Sequence, residues 1–186
     1  LESLRSAVQA GIHDVSAGTE DPAVLGLAGR RGCGIILMHR LHAPGADSYS
    51  DRYATPPEYT DVVGSVRGFL AQRAAEAMSR GVRREGIVID PGLGFGKTVE
   101  QNLELIRRGR EMGSLGFPVL SALSRKSFVG RAMGLESSTP GQRLWGSIAL
   151  SVAHYGAGAR IFRTHDVGFL VTALRAAAAV MDGAVA

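Results

Sequence analysis

Short apolar runs rich in β-branched residues alternate along this chain with segments of helical periodicity, and this alternation constrains the fold more than any other feature. The runs cover residues 12–15, 34–38, 86–89, 118–123 and 159–162, and polar residues interrupt them only at His13, Asp14, Ser121 and Arg160. Uninterrupted apolar runs are typical of parallel strands that helices cover. The pattern therefore predicts an α/β fold in which five parallel strands are joined by right-handed helical crossovers.

Capping residues mark where several of the intervening helices begin. Asp21 and Thr139 each precede a proline, which is the usual arrangement of an N-cap before the first helical residue. Thr98 has a glutamine three residues later and so predicts a capping box. Helices are expected over residues 1–10, from 21 to 32, from 61 to 79, after Thr98, after Thr139 and from 167 to 181. Residues 41–60 contain four prolines and glycines and are expected to form a long loop.

Bulk composition narrows the class of protein. The 186 residues, 45% of them hydrophobic and 20% charged, are enough for one globular domain, which we expect to cover the whole chain. No apolar run approaches the length of a membrane span, so no membrane association is expected. The single cysteine, Cys33, fits a reducing, cytoplasmic compartment. The net charge of +4 without a basic stripe favours a small anionic substrate over nucleic acid.

Polar side chains stand at the end of each predicted strand. They are His13 and Asp14, His39, Asp90, Lys126, and finally Arg163 and His165. The carboxyl ends of parallel strands meet at one face of a barrel, where ligands bind. The sequence therefore predicts a binding site at that face.

The most distinctive strand end is the glycine-rich stretch at residues 90–97, with the sequence Asp-Pro-Gly-Leu-Gly-Phe-Gly-Lys. A P-loop would need a glycine where Pro91 stands. The dinucleotide-binding fingerprint would need its third glycine where Val99 stands. Both nucleotide interpretations fail. Two interpretations remain: a strand-to-helix turn that presents Asp90 to a ligand, or a turn that uses glycine only for its backbone freedom.

Five strand-end motifs together resemble the dihydropteroate synthases of the pterin-binding family. The motifs are Asp14-Val15-Ser16, Leu37-Met38-His39, the stretch 90–97, Ser124-Arg125-Lys126-Ser127 and Arg163-Thr164-His165-Asp166. The resemblance implies a parallel (β/α)8 barrel of the TIM type, of which this chain covers strands four to eight as an N-terminally truncated, single pterin-binding domain. The sequence departs from the family at His13, where an asparagine is usual, and at Arg40, Leu41 and His42, which replace the usual residues after the second motif.

The same resemblance implies an enzyme of folate biosynthesis that condenses 6-hydroxymethyl-7,8-dihydropterin pyrophosphate with p-aminobenzoate. The implied pterin-binding residues are Asp90, Lys126, His13, Met38 and Gly94. Those for p-aminobenzoate are Phe95, Lys126 and Ser127, and those for the departing pyrophosphate are Arg163 and His165. Magnesium is expected to bind mainly through the pyrophosphate, with the family's protein ligand in the missing front part and none within this chain. Sulfonamide sensitivity and a homodimer are also implied.

Asp90 suits its implied role because a pterin presents an amino group and a ring N–H side by side, and a carboxylate accepts both. Several alternatives stay open. Asp90 could serve only as a loop carboxylate, Phe95 and Met38 only as core residues, and Arg163 only as an ion-pair partner of Asp166. The whole protein could instead be a pterin-family methyltransferase that uses methyltetrahydrofolate, or a non-catalytic, truncated paralogue that binds pterin or a partner.

Overall fold

A computed structural model describes residues 11–43 and 46–183, so the helix predicted over residues 1–10 lies outside the described residues. The elements in chain order are β1 (Ile12–Asp14), α1 (Ala23–Arg31), β2 (Ile35–Met38), α2 (Val62–Ser79), β3 (Ile87–Asp90), α3 (Val99–Arg107), α4 (Gly109–Gly113), β4 (Leu120–Ser121), α5 (Ser127–Ala132), α6 (Leu144–Gly156), β5 (Ile161–Phe162) and α7 (Val167–Met181). Two 3-10 turns, Arg84–Gly86 and Gly141–Arg143, precede β3 and α6. The predicted alternation of strands and helices is confirmed.

The five strands lie side by side in the order in which they occur in the chain. β1 pairs with β2, β2 with β3, and β4 with β5, and all three pairings are parallel. A single parallel bridge from Ile89 to Val119 connects β3 to the segment that enters β4. The parallel α/β class is therefore confirmed for the described residues, with β1 and β5 as the outer strands. The closed eight-stranded barrel stays a prediction.

The last two strands are shorter than predicted. The runs at 118–123 and 159–162 were expected to be extended throughout, whereas only two residues of each are in strand conformation. The backbone after Ser121 leaves the sheet and turns, so that the Lys126 N–H donates to the Leu123 carbonyl at 3.2 Å. Residues 122–126 thereby become the rim of the site instead of an extension of the strand.

The sheet separates two apolar clusters of different size. Its outer face packs on the helices through a large buried cluster that includes Ile35, Leu37, Ile87 and Ile89. Its inner face carries a small cluster of Val88, Leu120 and Ala122, against which Ile36 and Ile161 are only partly buried. Because alternate strand residues share a face, Asp90 projects from the same inner face as Val88.

One predicted cap is confirmed and two are corrected. Thr98 and Gln101 form the full reciprocal capping box at the start of α3. The Asp21 carboxylate accepts the Ala23 N–H at 2.9 Å, but α1 begins only at Ala23, and Pro22 occupies the N-cap position that was predicted for Asp21. Thr139, however, precedes the Gly141–Arg143 turn, and α6 begins only at Leu144. The Gln142 side chain accepts the Thr139 N–H at 2.8 Å, which closes the local turn before the helix can start.

Candidate active site

An open cleft of about 1200 Å³ lies at the carboxyl ends of the strands. Six predicted site residues line it, namely Gly94, Phe95, Lys126, Ser127, Arg163 and His165. Three predicted pterin contacts, Asp90, His13 and Met38, are not part of its wall and lie beside it on the inner face of the sheet. The structure thus brings the predicted residues to one end of the sheet in two adjoining groups.

The glycines of the 90–97 turn are required by close approach as well as by backbone conformation. Gly92 and Gly94 have φ angles of 67° and 85°, which side chains rarely tolerate. A Cβ atom on Gly92 would lie 1.7 Å from the His39 carbonyl oxygen, and one on Gly94 would lie 2.7 Å from Lys126 Cδ. Gly94 therefore leaves room for the aliphatic stem of Lys126.

Asp90 is fully buried, yet only one of its carboxylate oxygens is satisfied. Oδ1 accepts the Gly92 N–H at 2.7 Å, which fixes the orientation of the group. Oδ2 is buried and has no hydrogen-bond partner among the described residues. An unsatisfied buried oxygen carries a large desolvation cost, so a carboxylate held in this way is prepared to accept a donor from a ligand.

His13 and Met38 surround Asp90 on the inner face. His13 Nε2 lies 3.4 Å from Asp90 Oδ2, but the pair does not have hydrogen-bond geometry, since both atoms lack a partner among the described residues. Met38 stands opposite Asp90 in the register of β2 and β3 and is almost fully buried. His13 thus offers a ring nitrogen beside the free carboxylate oxygen of Asp90.

Lys126 links the inner face with the cleft. Its ammonium lies 4.2 Å from the centroid of the Phe95 ring, a cation–π distance, and donates to the Leu93 carbonyl. Burial lowers the pKa of Lys126 to about 8, while the charge of Asp90 raises it and that of Arg163 lowers it. Lys126 and Phe95, which are both predicted to bind p-aminobenzoate, are therefore in contact with each other, and Lys126 is not a solvated surface lysine.

Lys97 is a buried cation that sequence reasoning did not place in the site. It is fully buried, and its ammonium contacts His39 Nδ1 at 3.0 Å, the Gly92 carbonyl at 3.1 Å and the Phe95 carbonyl at 2.8 Å. Burial lowers the pKa of Lys97 to about 7 against the raising effect of Asp90. Three acceptors match the three protons of an ammonium, so we assign the charged form. A P-loop would use a lysine at this position as a phosphate ligand, but the three protein acceptors of Lys97 leave none of its protons for a phosphate.

His39 is the neutral partner of Lys97. Burial, followed by the neighbouring charge of Lys97, lowers the pKa of His39 to about 3. Its ring packs edge-on against Phe69 with centroids 5.0 Å apart. Since Lys97 can only donate, Nδ1 of His39 accepts. His39 therefore stabilises the glycine-rich turn through its bond to Lys97 and does not face a ligand.

The segment before α2 is fastened to the same turn. Asp47 accepts the Gly96 N–H at 2.9 Å, and the Tyr59 hydroxyl donates to the Gly96 carbonyl at 3.0 Å. The Asn102 side chain connects the glycine-rich turn to the segment before α2, because it accepts the Gly94 N–H at 2.6 Å and donates to Ser50 Oγ at 3.1 Å. The described part of the predicted long loop thus forms one wall of the cleft. No local motif marked Asp47 or Asn102 in advance.

Arg163 and His165 line the cleft at the end of β5 and are both exposed. His165 Nδ1 lies 3.0 Å from the Ser124 hydroxyl. The alternative in which Asp166 pairs with Arg163 is wrong, because Asp166 instead binds Arg125 through two hydrogen bonds of 3.0 and 2.5 Å. This bidentate pairing leaves the Arg163 guanidinium available to an anion in the cleft.

The described residues do not form a protein cage for magnesium. Among residues 11–43 and 46–183, no three His, Cys, Asp or Glu side chains come together in a way that could hold a metal ion. Arg163 at the end of β5 and Lys126 beside it are cations of the cleft wall, and cations suit an anion and not a divalent metal. We therefore derive no step through magnesium. Within the same residues, no helix is long and apolar enough to cross a bilayer.

Fold and site together define a class: a parallel α/β protein that presents a buried carboxylate and several cations at the carboxyl edge of its sheet. Comparison with known proteins narrows the class. The family described as pterin binding enzyme matches residues 1–165. The chain therefore belongs to the pterin-binding enzyme family.

Similarity to individual proteins agrees with this assignment. The chain is 38% identical to a dihydropteroate synthase of Synechocystis over 169 residues, which are 89% of this chain and 56% of that relative. The dihydropteroate synthase of Xanthomonas albilineans with 4-aminobenzoic acid superposes with a TM-score of 0.81 at 35% identity, over 95% of this chain and 58% of that one. The Thermus thermophilus enzyme in complex with 6HMPPP gives 0.78 at 37% identity, over 91% and 62%. The chain thus spans little more than half the length of its relatives.

Proposed function

We propose that the protein to which this chain belongs is a dihydropteroate synthase, which joins the amine of p-aminobenzoate to a dihydropterin methylene and releases pyrophosphate. The observation that carries the proposal is the Asp90 carboxylate, which is fully buried and oriented by Gly92 while its second oxygen has no partner among the described residues. A buried acceptor of this kind suits the paired donors of a pterin ring.

The pterin is proposed to lie on the inner face of the sheet. Asp90 would accept its amino and ring N–H groups, Met38 would pack against the ring, and His13 would replace the asparagine of the family as a polar contact. Lys126 would donate to the pterin carbonyl edge once it exchanges its bond to the Leu93 carbonyl. The Xanthomonas and Thermus structures contain 4-aminobenzoic acid and 6HMPPP respectively, which supports the choice of substrates.

The second substrate and the leaving group are proposed to occupy the cleft. Phe95 would contact the aminobenzoate ring and Ser127, at the start of α5, its carboxylate. Arg163 and His165 would bind the pyrophosphate. The amine nitrogen forms a bond to the pterin methylene carbon while the carbon–oxygen bond breaks, and the pyrophosphate takes the electron pair. The amine then loses a proton to water. Catalysis rests on positioning and on stabilising the charge that develops on the leaving group.

The complete enzyme is proposed to be an eight-stranded barrel in which this chain supplies strands four to eight. Sequential parallel order, the partly exposed inner residues Ile36 and Ile161, and coverage of 62% of the Thermus enzyme support this arrangement. Magnesium would enter with the pyrophosphate. A homodimer through α6 and α7 is supported by Trp145 and Phe169, which are 66% and 57% exposed, since large exposed apolar side chains often mark protein interfaces.

The test is a condensation assay on the full-length protein. Consumption of p-aminobenzoate with formation of dihydropteroate is expected, together with competition by sulfonamides against p-aminobenzoate. Methyl transfer from methyltetrahydrofolate without aminobenzoate consumption would establish the methyltransferase alternative. Pterin binding without either reaction would establish the non-catalytic paralogue.

Asp90→Asn tests the proposed binding of the pterin by Asp90 directly. The substitution replaces an acceptor oxygen by a donor and is expected to weaken pterin binding by about 2–5 kcal/mol, measured by calorimetry. Asp14→Asn is the matched control, because Asp14 also ends a strand, but its oxygens accept the Ser16 N–H at 2.9 Å and the Gly18 N–H at 2.5 Å. Pterin affinity should be retained in Asp14→Asn. Unchanged affinity in folded Asp90→Asn would refute the assignment.

A further inference from the structure

Four hydrogen bonds converge behind His165, at the junction of the segments that follow β4 and β5. Ser124 Oγ lies 3.0 Å from His165 Nδ1, 3.2 Å from the His165 backbone nitrogen and 3.3 Å from Thr164 Oγ1. Thr164 Oγ1 in turn accepts the Asp166 N–H at 3.1 Å. Ser124 is buried, whereas the His165 side chain is exposed to the cleft. The network therefore connects a buried hydroxyl to a ring that faces the proposed pyrophosphate site.

The direction of these bonds follows from the two backbone groups, which can only donate. The Asp166 N–H donates to Thr164 Oγ1, and the His165 N–H donates to Ser124 Oγ. A hydroxyl has one proton and two acceptor positions. If Thr164 donates its proton to Ser124, both acceptor positions of Ser124 are filled, and its own proton is directed at His165 Nδ1. In this arrangement every proton of the network has a partner.

The reverse arrangement satisfies fewer groups. If His165 Nδ1 carried a proton and donated to Ser124, the Ser124 proton would have to turn toward Thr164. The Thr164 proton would then have no protein partner among the described residues and could bond only to water in the cleft that Thr164 lines, so this arrangement has one hydrogen bond fewer within the protein. The first arrangement is therefore the stable one, and in it the ring proton is on Nε2.

We propose that Ser124, supported by Thr164, is a positioning residue that holds His165 in the neutral Nε2–H tautomer, with its donor available to an oxygen of the departing pyrophosphate. This inference rests on the proposed function for its role in the reaction, but the tautomer itself does not. The tautomer of a histidine is set by the bond that its other nitrogen makes. Arg125 keeps the Asp166 carboxylate occupied, so the carboxylate does not compete for the ring.

The tautomer is measured by nitrogen NMR on the full-length protein labelled at its histidine rings, without substrate. The His165 signals are identified by their loss in His165→Gln. The wild-type protein is expected to carry the ring proton on Nε2, and Ser124→Ala is expected to populate the Nδ1–H form. A wild-type proton on Nδ1, or a tautomer that does not change in folded Ser124→Ala, would overturn the proposal. If Ser124→Ala does not fold, the tautomer of His165 in the wild-type protein alone decides whether the proposal stands.

Kinetics then test the link to the reaction. Ser124→Ala is expected to lower kcat about tenfold, the effect of one misdirected hydrogen bond, while affinity for an unphosphorylated pterin is unchanged. Ser124→Thr, which keeps the hydroxyl, should restore the tautomer and the rate together. Ser114→Ala, which removes an exposed hydroxyl bonded to the Glu111 carbonyl, is the control. If His165 has the Nε2–H tautomer but the protein makes no dihydropteroate, only the proposed function is refuted. If the protein makes dihydropteroate while His165 has the Nδ1–H tautomer, only this inference is refuted.

Discussion

Replacing Gly92 by alanine is expected to destabilise the protein much more than the same replacement at Gly32. The two glycines have nearly the same backbone conformation, with φ angles of 67° and 63°. They differ in their surroundings, because a Cβ on Gly92 would lie 1.7 Å from the His39 carbonyl oxygen, whereas one on Gly32 would have nothing within 4 Å. The pair therefore separates backbone strain from steric overlap.

The left-handed conformation costs an alanine about 1–2 kcal/mol, and reduced freedom of the unfolded chain returns about 0.4–1 kcal/mol of this. Gly32→Ala should accordingly lower the free energy of unfolding by about 1 kcal/mol. At Gly92 the obstacle is backbone, which must move by about 1.5 Å at an added cost of about 1–3 kcal/mol. That movement also strains the Gly92 bond to Asp90 and the bond from the His39 N–H to the Asp90 carbonyl at 3.0 Å. The total for Gly92→Ala is about 3–5 kcal/mol.

Both variants are compared with wild type by denaturant unfolding of the full-length protein, and pterin affinity is measured by calorimetry on whatever remains folded. Gly92→Ala should lose affinity as well as stability, because Gly92 orients the Asp90 carboxylate. Gly32→Ala, at the end of α1, should keep full affinity. Equal losses of stability in the two variants would show that the close approach to His39 does not exist in the protein.

Three further predictions concern charge, capping and the chain as a whole. Because the pKa of Lys126 is lowered to about 8, the charged form of Lys126 is lost above that pH, and pterin affinity should fall by up to about tenfold per pH unit. Lys126→Arg stays charged and should abolish this decline. A wild-type pterin affinity that does not change with pH would contradict the role assigned to Lys126. Thr98→Ala should cost about 0.5–2 kcal/mol of stability in denaturant unfolding. Thr139→Ala should cost less, because the Thr139 hydroxyl donates to the Gln142 side chain and caps no backbone N–H; equal costs would contradict the importance of the capping box. Residues 1–186 expressed alone should associate or melt without cooperativity, because β1 and β5 are the outer strands of the described sheet; a monomer with a sharp thermal transition would refute this.

Local patterns in the sequence were sufficient to predict the order of strands and helices. Apolar runs, capping residues and prolines act over a few residues, so they identify the strands around Ile36 and Val88 and the start of α3 without knowledge of the fold. The polar residues at strand ends also followed from this level, because parallel strands must bring their carboxyl ends to one edge. The roles of Phe95 and Ser127 depended on the resemblance to a family, since neither residue type marks a ligand by itself.

Only the tertiary structure decided which polar groups are paired. Lys97 contacts His39 across 58 positions of the chain, Asp47 contacts Gly96 across 49, and Arg125 binds Asp166 across 41. None of these pairs has a local pattern, because burial and hydrogen bonding depend on which distant segments the fold brings together. For the same reason the sequence could place Asp90 at a strand end, but only the packed sheet shows that one of its oxygens is satisfied while the other is buried without a partner among the described residues.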